Sequence, residues 1–378
     1  MLTKSIQFAS AEGWIGYDPY DALLSPLARL PLLGQSRSFR LALTQVVKRS
    51  PLNLRPLLGI RPGLNPKGVA LFLSSMARCG DGGGVFGEIP ALATRLAALR
   101  APDAPGAGWG YNFPWQGRAF YLPAGTPTVV VTSFAGGAFL DAHAVTGDVR
   151  HLDMALEACR FILEVPHRTS DKTGTCLSYS ALDRTAVYNA SLLGARLLVR
   201  AGLQAGRPDL VDSARPLISY ALARQRADGS WGYGEANYQG WIDSFHTGFV
   251  LEALEIFRKT TGDSGAEQAV RRGSRFYLER LFGPAGEPYY YPGRHYPYDI
   301  HSAAQAVVTL LELSDLMPEC RARARQVGRW MVDNMLDSNG VFDYQIRRTR
   351  RVRIPYMRWS QAWGVRALAE LARHGVDL

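Results

Sequence analysis

The sequence predicts an all-α fold, an (α/α)6 toroid of helical hairpins with short strands in the loops of one rim. Three candidate inner helices begin with an aspartate, Asp183, Asp243 and Asp299, which lie 60 and 56 residues apart, and a related start at Arg358 follows 59 residues later. A period of this length indicates a repeated unit that buries its apolar face only against its neighbours. We therefore expect these four side chains to gather at one end of the molecule.

A glycine marker repeats at nearly the same interval. Gly174, Gly229, Gly286 and Gly340 each lie in a turn-like sequence (KTG, ADG, PAG and SNG), separated by 55, 57 and 54 residues. Such regular turns are expected between stacked helical hairpins. The two markers together favour one closed body over two ordinary domains.

The candidate helices also alternate in composition. The first member of each predicted hairpin is small and apolar, and the second carries more charge, which suits an inner ring wrapped by an outer ring. The inner candidates are 66–78, 129–145, 185–204, 245–259, 302–316 and 360–374, and the outer candidates are 89–100, 151–164, 209–225, 267–282 and 321–336. Short strands are expected in the aromatic runs SWGYG, EPYYYP and GVFDYQ. A less regular, open α-solenoid is the structural alternative.

The chain is expected to form a single toroid domain, 1–378, with 1–64 as a less regular segment packed on it. In that segment, GYDPYDAL places Asp18 and Asp21 on either side of a Pro-Tyr pair. A turn fixed by Pro19, with packed tyrosines, is favoured over a role of the two aspartates in a cleft.

The formal charge of +10 and the pI near 9.5 favour anionic partners. The dense basic run RRTRRVRIP, at 347–355, is favoured as a solvated loop or edge strand over a ligand contact. No nucleic-acid-binding signature accompanies the charge, so nucleic acid is not an expected partner. The expected ligand is an acidic oligosaccharide or polysaccharide.

Other features are less specific. No signal-peptide pattern is visible, and no window approaches the ~20 apolar residues that span a bilayer, so no transmembrane segment is expected and the expected location is cytoplasmic. The four cysteines, at 79, 159, 176 and 320, form no C-x-x-C pair and are predicted to be free thiols. GDGGGVFGE, at 80–88, lacks the context of a phosphate-binding loop and is predicted to be a plain loop. No metal or cofactor is expected.

The loops that enter the inner helices are the richest in aromatic and polar residues. They are GWGYNFPWQGR, YSALDRTAVYN, NYQGWIDSFH, GRHYPYDIH and RIPYMRWSQAW, and in a toroid they gather at one rim. Aromatic rings stack on the C–H faces of sugars, while polar side chains hold hydroxyl and carboxylate groups. The predicted substrate-binding residues are Trp109, Tyr111, Asn112, Trp115, Asp183, Arg184, Tyr188, Asn189, Trp241, Tyr298, Arg358 and Trp359.

Two aspartates in these loops are followed closely by a histidine: Asp243 precedes His246, and Asp299 precedes His301. An aspartate at a helix start is a preferred N-cap, and for each aspartate alone capping is favoured over catalysis. A histidine in the first helical turn at a pocket rim can accept or donate a proton near neutral pH. Two such pairs indicate a functional site with these four residues as catalytic candidates, whereas Asp183 has no such histidine and is expected to cap or bind.

Three activities fit these residues. Hydrolysis of a glycosidic bond needs two carboxyl groups, for which Asp243 and Asp299 are candidates. Elimination or epimerisation at C5 of a uronic acid needs a base such as either histidine, and a residue such as Asn189 or Arg184 to offset developing charge. The third is glycan binding without chemistry, as in a scaffold protein of a polysaccharide-synthesis complex. The sequence leaves all three open.

The strings WGYNFPWQGRAF, GTPTVVVTSF, LDRTAVYNASLLGA, DGSWGYGE, WIDSFHTGFVLEAL and YPYDIHSAAQ resemble a bacterial family of α/α-toroid proteins from capsule and exopolysaccharide biosynthesis clusters. The resemblance runs from GYDPYD to RWSQAWG, nearly the whole chain. It implies a fold akin to six-hairpin glycosidases and to helical-toroid uronate lyases and epimerases. It also implies a role in making or modifying a surface glycan, with other polysaccharide-synthesis proteins as partners, but it carries over no catalytic residue.

The turn QRADGSWGY, at 225–233, looks like the Gln-rich turn repeats of triterpene cyclases, which are also helical toroids. The chain lacks the Asp-x-Asp-Asp acid motif of those enzymes and the zinc-site pattern of protein prenyltransferases. We therefore interpret the turn as a stabilising device of helical toroids, and a terpene-cyclase-like activity is the third choice.

Overall fold

The computed structural model describes residues 1–79, 87–118 and 120–378, so most of the predicted glycine-rich loop at 80–88 lies outside the described residues. The helices are, in chain order, α1 (Leu2–Ala11), α2 (Arg37–Arg49), α3 (Pro66–Cys79), α4 (Glu88–Ala98), α5 (Val129–Thr146), α6 (Val149–Glu164), α7 (Tyr188–Ala205), α8 (Pro208–Leu222), α9 (Ser244–Thr261), α10 (Ser264–Arg280), α11 (Ile300–Leu313), α12 (Glu319–Met335) and α13 (Ala362–Arg373).

The predicted small, apolar helices form a closed inner ring. α3 packs on α5, α5 on α7, α7 on α9, α9 on α11 and α11 on α13, and α13 returns to α3. Outside this ring, α4, α6, α8, α10 and α12 each pack on the inner helix that precedes them in the chain. Their more charged sequences leave one face in solvent, as expected for outer helices. The predicted fold class, an (α/α)6 toroid, is confirmed.

The N-terminal helix completes the outer ring. α1 packs on α13. Lys4 Nζ donates to the carbonyl oxygen of Ser338 (2.9 Å), beyond α12, and Ser10 Oγ donates to the Glu88 carboxylate (3.3 Å) at the start of α4. The two ends of the chain therefore supply the sixth hairpin together. Residues 12–64 contain α2, short 3-10 turns and two strands of two residues each that pair with one another.

Short antiparallel strands lie in the loops. Their bounds are β1 (Ile15–Gly16), β2 (Gly63–Leu64), β3 (Trp115–Gln116), β4 (Tyr121–Leu122), β5 (Arg168–Asp171), β6 (Gly174–Leu177), β7 (Tyr298–Asp299), β8 (Gln345–Ile346) and β9 (Arg351–Val352). They form the pairs β1–β2, β3–β4 and β5–β6 and a three-stranded sheet ordered β7-β8-β9. The run GVFDYQ contributes to β8, whereas SWGYG and EPYYYP form only isolated bridges.

The repeated glycines lie where a loop touches the next outer helix, and each has a positive φ. A Cβ atom at any of them would lie within 2.3–2.8 Å of that helix's backbone, at Pro216 in α8 for Gly174, Arg272 in α10 for Gly229, Gln326 in α12 for Gly286 and Lys4 in α1 for Gly340. The glycine period therefore marks contacts between successive outer helices as well as turns.

Gly229→Ala is expected to lower the free energy of unfolding by about 2–5 kcal/mol, because the new methyl group adds both backbone strain and overlap with the Arg272 carbonyl. Gly206→Ala is the matched control: Gly206 has φ +63°, and a Cβ there meets no atom within 4 Å. It should cost only the left-handed strain, about 1–2 kcal/mol. Denaturant unfolding measures both, and equal losses would contradict the packing role of Gly229.

Ion pairs join the inner helices to one another. The carboxylate of Asp141 lies 2.6 Å from the Arg200 guanidinium and 3.1 Å from that of Arg78, and Glu252 lies 2.8 Å from Arg196. The same network continues through Glu312, Arg366 and Glu370. Most of these groups are buried, so each depends on its partners to offset the loss of hydration.

One helix in the described part of the chain, Val129–Thr146, is long and apolar enough to cross a membrane by length and composition alone. This helix departs from the expectation that no segment approaches the length and apolar composition of a membrane span. This helix is α5 of the inner ring, and 72% of its apolar window is buried inside the protein. Burial in the ring explains its composition without a bilayer.

Candidate active site

A cavity of about 1240 Å³ opens at the end of the toroid where the inner helices begin. The rim loops, α2 and the first turns of the inner helices form its wall. Because the positive end of each helix dipole lies at the N-terminus, these dipoles converge on the cavity and favour a negatively charged ligand.

Asp243 and Asp299 cap α9 and α11, two of the inner helices that begin at the cavity. Oδ1 of Asp243 accepts the backbone N–H of His246 at 3.0 Å, and Oδ1 of Asp299 accepts that of His301 at 2.9 Å. Both carboxylates are buried. Each aspartate therefore has the capping role that its position predicts.

Asp243 also orients the ring of His246. Its Oδ2 lies 2.7 Å from Nδ1 of His246, a contact that places the proton of the neutral ring on Nδ1 and leaves Nε2 as an acceptor. The ring lines the cavity and packs between Phe245 and Tyr233, with centroid distances of 4.2 and 4.8 Å. A histidine held by a carboxylate in this way has the geometry of an acid–base catalyst.

His301 lies in the cavity wall among aromatic rings. It stacks on Phe245 at 4.4 Å and on Trp363 at 4.3 Å, and Trp359 meets it edge-on at 4.6 Å. Its side chain is 1% exposed, and neither ring nitrogen has a hydrogen-bond partner among the described residues. Burial, and then the nearby charge of Lys67, hold the pKa of His301 well below its usual range. The surroundings therefore favour the neutral ring, and its two nitrogens are buried without a partner at the cavity wall.

Asp299 lies behind the wall and outside the cavity lining. Its carboxylate accepts hydrogen bonds from Trp359 Nε1 (2.9 Å) and Gln345 Nε2 (2.5 Å), whereas its link to His301 is to the backbone. Burial raises the pKa of Asp299, and these donors oppose that change. Asp299 thus fixes the Trp359 indole, and Asp243 and Asp299 do not present two carboxylates across the cavity.

Much of the remaining wall is aromatic. Tyr233 stacks on Trp241 at 4.5 Å with an interplanar angle of 16°, and Tyr111 stacks on Phe113 at 5.3 Å and 10°. Flat faces of this kind suit the C–H surfaces of sugar rings. Further aromatic lining residues are Tyr20, Trp115, Phe120, Tyr179, Tyr238, Tyr290, Tyr291, Tyr296 and Trp359.

Lys67 brings a buried amine to the cavity from the first turn of α3. Its Nζ lies 4.1 Å from the centroid of the Phe134 ring and 5.5 Å from that of Trp363. Burial, with a smaller effect of Arg358, lowers the pKa of Lys67 well below its usual value. Arg358 itself is held by a bidentate pair with Asp18, at 2.5 and 2.7 Å. The ammonium of Lys67 is therefore the cation with most to gain from an anionic ligand.

Cations outnumber carboxylates in the described lining of the cavity. The cationic side chains are Lys48, Arg49, Lys67, Arg118, Arg294, Arg347 and Arg358, against the single carboxylate of Asp243. Burial lowers the pKa of Lys48 to about 8, while Asp299 opposes the change. This excess of positive charge suits a ligand that carries carboxylate or phosphate groups.

The structure brings nine of the predicted site residues to the cavity wall: Asp243, His246, His301, Tyr111, Trp115, Asn189, Trp241, Arg358 and Trp359. Asn189 lies in the first turn of α7, and its Nδ2 has no hydrogen-bond partner among the described residues. A buried amide without a partner at the cavity wall is a candidate for contact with a ligand.

Trp109, Asn112 and Asp183 serve the fold outside this lining. The indole N–H of Trp109 donates to the Leu96 carbonyl (2.8 Å) in the core, and Asn112 Oδ1 accepts from the side chain of Asn65 (2.8 Å). Asp183 accepts hydrogen bonds within its own loop. Since α7 begins only at Tyr188, Asp183 is not the N-cap of that helix, although the repeat predicted it there.

Arg184, Tyr188 and Tyr298 also lie outside the lining. Arg184 is exposed on the surface. The Tyr188 hydroxyl donates to Glu235 at 2.7 Å, and Tyr298 packs on Trp330 at 5.0 Å. Each of these positions depends on where its rim loop turns toward the following inner helix. The spacing of residues in the sequence does not predict that point.

Sequence reasoning missed Lys67, Lys48 and Tyr20 as cavity residues. The sequence signal for Lys67 was a single charge at the start of PKGVALFLSS, a segment with no other charged residue. In the structure the whole segment is buried. Tyr20 comes from GYDPYDAL, the motif whose Asp18 holds Arg358. The turn favoured for that motif therefore supports the site through a tyrosine and an ion pair.

Among the described residues, no group of three or more His, Cys, Asp or Glu side chains is arranged to hold a metal ion. All four cysteines are free thiols.

No family model matches the chain, and no curated protein matches it. Solved structures do resemble it. Cellobiose 2-epimerase from Bacillus thermoamylovorans B4167 is 13% identical, with 82% of this chain and 88% of that chain covered and a TM-score of 0.63. An unsaturated glucuronyl hydrolase specific for heparin is 14% identical, with coverage of 85% and 90% and a TM-score of 0.62. A D-mannose isomerase is 11% identical, with coverage of 82% and 86% and a TM-score of 0.63.

The chain therefore shares the six-hairpin α/α-toroid fold of carbohydrate-active enzymes. At these identities the likeness establishes the fold alone. It gives no support to the association with capsule biosynthesis that the sequence resemblance implies.

Proposed function

We propose that the protein is an enzyme that moves a proton at a carbon atom of an acidic sugar, giving epimerisation, isomerisation or elimination. The observation that carries this proposal is the pair of histidines, His246 and His301, in the wall of one cavity. Asp243 holds Nδ1 of His246, and neither ring nitrogen of His301 has a hydrogen-bond partner among the described residues. The described lining offers Asp243 as its single carboxylate, so it lacks the two carboxyl groups that glycoside hydrolysis requires.

The two histidines suit different roles. His301 is neutral and is the base: it takes a proton from a carbon next to a carbonyl or carboxylate group, and the electron pair of the C–H bond moves onto that group. Lys67 and Arg358 stabilise the negative charge that develops there. His246 is assigned the role of the acid, because its ring lines the cavity and Asp243 holds it by a hydrogen bond at Nδ1.

The fate of the electron pair decides the product. In epimerisation or isomerisation, His246 returns a proton to the opposite face of the same carbon or to a neighbouring atom. In elimination, the electron pair expels the oxygen substituent on the next carbon, and His246 protonates that oxygen as its bond to carbon breaks. The positive wall favours a uronic acid, and the resemblance to the capsule family makes an exopolysaccharide unit the substrate that we propose.

The test is incubation with uronic-acid oligosaccharides and monosaccharides in deuterated water. Deuterium at carbon, detected by mass spectrometry and NMR, is the expected result for epimerisation or isomerisation, and ultraviolet absorbance of an unsaturated uronate is expected for elimination. New reducing ends without either signal would show hydrolysis and contradict the proposal. Binding without any chemical change would instead show a glycan-binding or scaffold protein.

Lys67→Met is expected to weaken binding of an acidic sugar about 10- to 100-fold, because a charge-assisted contact contributes about 1.5–3 kcal/mol. Methionine fills a similar volume without charge, so the fold should be kept. The lowered pKa of Lys67 means that the folded state disfavours its charge, and at neutral pH the variant should be no less stable than the parent. Isothermal titration calorimetry measures the affinity.

A neutral sugar of the same shape and the Lys172→Met variant are the controls, since Lys172 is exposed in a loop far along the chain. Lys67→Met should bind the neutral sugar with the parent's affinity, and Lys172→Met should bind the acidic sugar with the parent's affinity. Equal weakening for acidic and neutral sugars would show that Lys67 shapes the cavity and does not bind the anionic group.

A further inference from the structure

Residues 22–80 contain nine Lys or Arg residues and no Asp or Glu. In the whole chain, by contrast, 33 acidic residues stand against 43 basic ones. This stretch includes most of the irregular N-terminal segment and α2, which lies beside the cavity. Arg55 and Arg78 pair with carboxylates from outside the stretch, those of Asp21 and Asp141. The exposed cations of the stretch have no carboxylate neighbour within it that could offset their charge.

The same segment carries a group of exposed apolar side chains, which we name the leucine patch: Leu27, Leu30, Leu32, Leu33, Val46, Leu52 and Leu57. Leu32 and Leu57 are each 85% exposed. Exposed apolar groups scattered singly are ordinary on a soluble protein, but a concentration of this kind marks an interaction surface.

Hydrogen bonds join the parts of the segment that carry the patch. Ser25 Oγ donates to the carbonyl oxygen of Leu58 at 2.8 Å, which links the 3-10 turn at 26–29 to the turn after α2. Arg40 of α2 donates to the carbonyl oxygen of Gly34 at 3.1 Å. The leucines therefore belong to one surface element and not to separate flexible loops.

Arginines surround this surface. Arg29, Arg37, Arg49 and Arg61 are exposed in the same segment. The basic run at 347–355 adjoins it, because Arg350 donates to the carbonyl oxygen of Arg49 at 3.1 Å. A basic rim around exposed leucines complements a surface that is negatively charged outside and apolar beneath.

A neighbouring face of α2 belongs to the cavity. Leu41, Gln45, Lys48 and Arg49 line the cavity wall, while Val46, between them, is exposed. A surface that covers the leucine patch would therefore lie beside the mouth of the cavity.

We propose that the leucine patch and its arginine rim dock the protein on an anionic lipid bilayer, with the cavity mouth close to the headgroups. The leucines enter the interface between headgroups and acyl chains, and the arginines pair with headgroup phosphates. A second copy of the chain fits this surface poorly, because it would bring the same uncompensated arginines to the contact. The proposal rests on charge and exposure and does not depend on the reaction at the cavity.

The experiment is sedimentation of the full chain with vesicles. One vesicle preparation contains phosphatidylcholine and phosphatidylglycerol in equal parts, and the other contains phosphatidylcholine alone. The protein should sediment with the anionic vesicles and at least tenfold less with the neutral ones, and added salt should weaken the binding. The double variant Leu32→Asp with Leu57→Asp should lose at least tenfold of the binding to anionic vesicles.

The matched control is Leu182→Asp with Leu203→Asp, which changes two other exposed leucines, 60% and 55% accessible, away from the patch. This variant should bind like the parent, and circular dichroism should show the parent's helix content for both. Equal sedimentation with both lipids, unchanged binding by the patch variant, or no binding at all would overturn the proposal. So would a dimer in solution that the patch variant alone converts to a monomer.

Discussion

His301→Gln is expected to reduce turnover of the acidic sugar by about 10²- to 10⁴-fold, the range for removal of a general base. Glutamine keeps polar atoms near the same place but cannot take a proton from carbon. His246→Gln is expected to cause a loss in the same range, because it removes the acid that Asp243 orients. The double variant should lose little beyond the more affected single variant, since the two groups serve one reaction and either loss interrupts it.

The control for both is His374→Gln, which changes a half-buried histidine at the end of α13, away from the cavity. Its kcat should match that of the parent. Deuterium incorporation or absorbance of the product gives the rates. A His301 variant with the parent's kcat would show that this histidine only packs in the wall.

The pH profile gives a second readout on His301. Its lowered pKa keeps the ring in the basic form at pH values below the usual range of histidine, so kcat/KM should persist into mildly acidic solution. The charge of Lys67 contributes to that lowering. In Lys67→Met the acidic limb of the profile should therefore move to higher pH, a shift that a purely structural role of Lys67 would not produce.

Asp141→Ala is expected to lower the free energy of unfolding by about 3–5 kcal/mol, because it leaves buried arginines without their shared partner. Asp141 contacts Arg200 and Arg78 directly, and the Arg366 guanidinium lies 4.0 Å away. Asp212→Ala is the control: it removes the partner of Arg215 in a solvent-exposed pair and should cost no more than about 1 kcal/mol. Equal costs in denaturant unfolding would contradict the importance of the buried network.

The same residue gives the stability a pH dependence. Although burial raises the pKa of Asp141, the surrounding arginines outweigh it and hold the pKa well below the usual 3.8. The stabilisation is therefore complete above the unfolded pKa and is lost as pH falls below it toward the folded value. The difference in stability between the parent and Asp141→Ala should accordingly shrink in acid.

The hydrophobic pattern was sufficient for the ring. The inner helices are buried on all sides and are therefore small and apolar, whereas the outer helices are buried on one side and carry charges on the other. This difference is visible in the local sequence of each helix. The place of α1 was not predictable in this way. Its pairing with α13 joins the two ends of the chain, and no local pattern encodes a contact between segments so far apart.

In the candidate site, too, some contacts could be predicted from the sequence and others depend on the tertiary structure. Capping by Asp243 and Asp299 is a contact within a few residues, and the sequence predicted it. That Asp243 binds the ring of His246 while Asp299 binds Trp359 and Gln345 depends on which loops converge, and only the structure shows it. The isolation of the His301 nitrogens is likewise a result of three aromatic rings from other helices.

The sequence by itself determined the repeat, the toroid, the aromatic rim and the two histidines, because each depends on residue type and spacing along a helix or turn. The tertiary structure alone decided which polar groups meet the cavity. Lys67 lines the cavity although no sequence motif predicts it, whereas Asp299, which belongs to the repeated motif, lies behind the cavity wall. Both outcomes depend on the direction in which a side chain leaves a packed helix relative to its neighbours, and that direction is set by the closure of the whole ring.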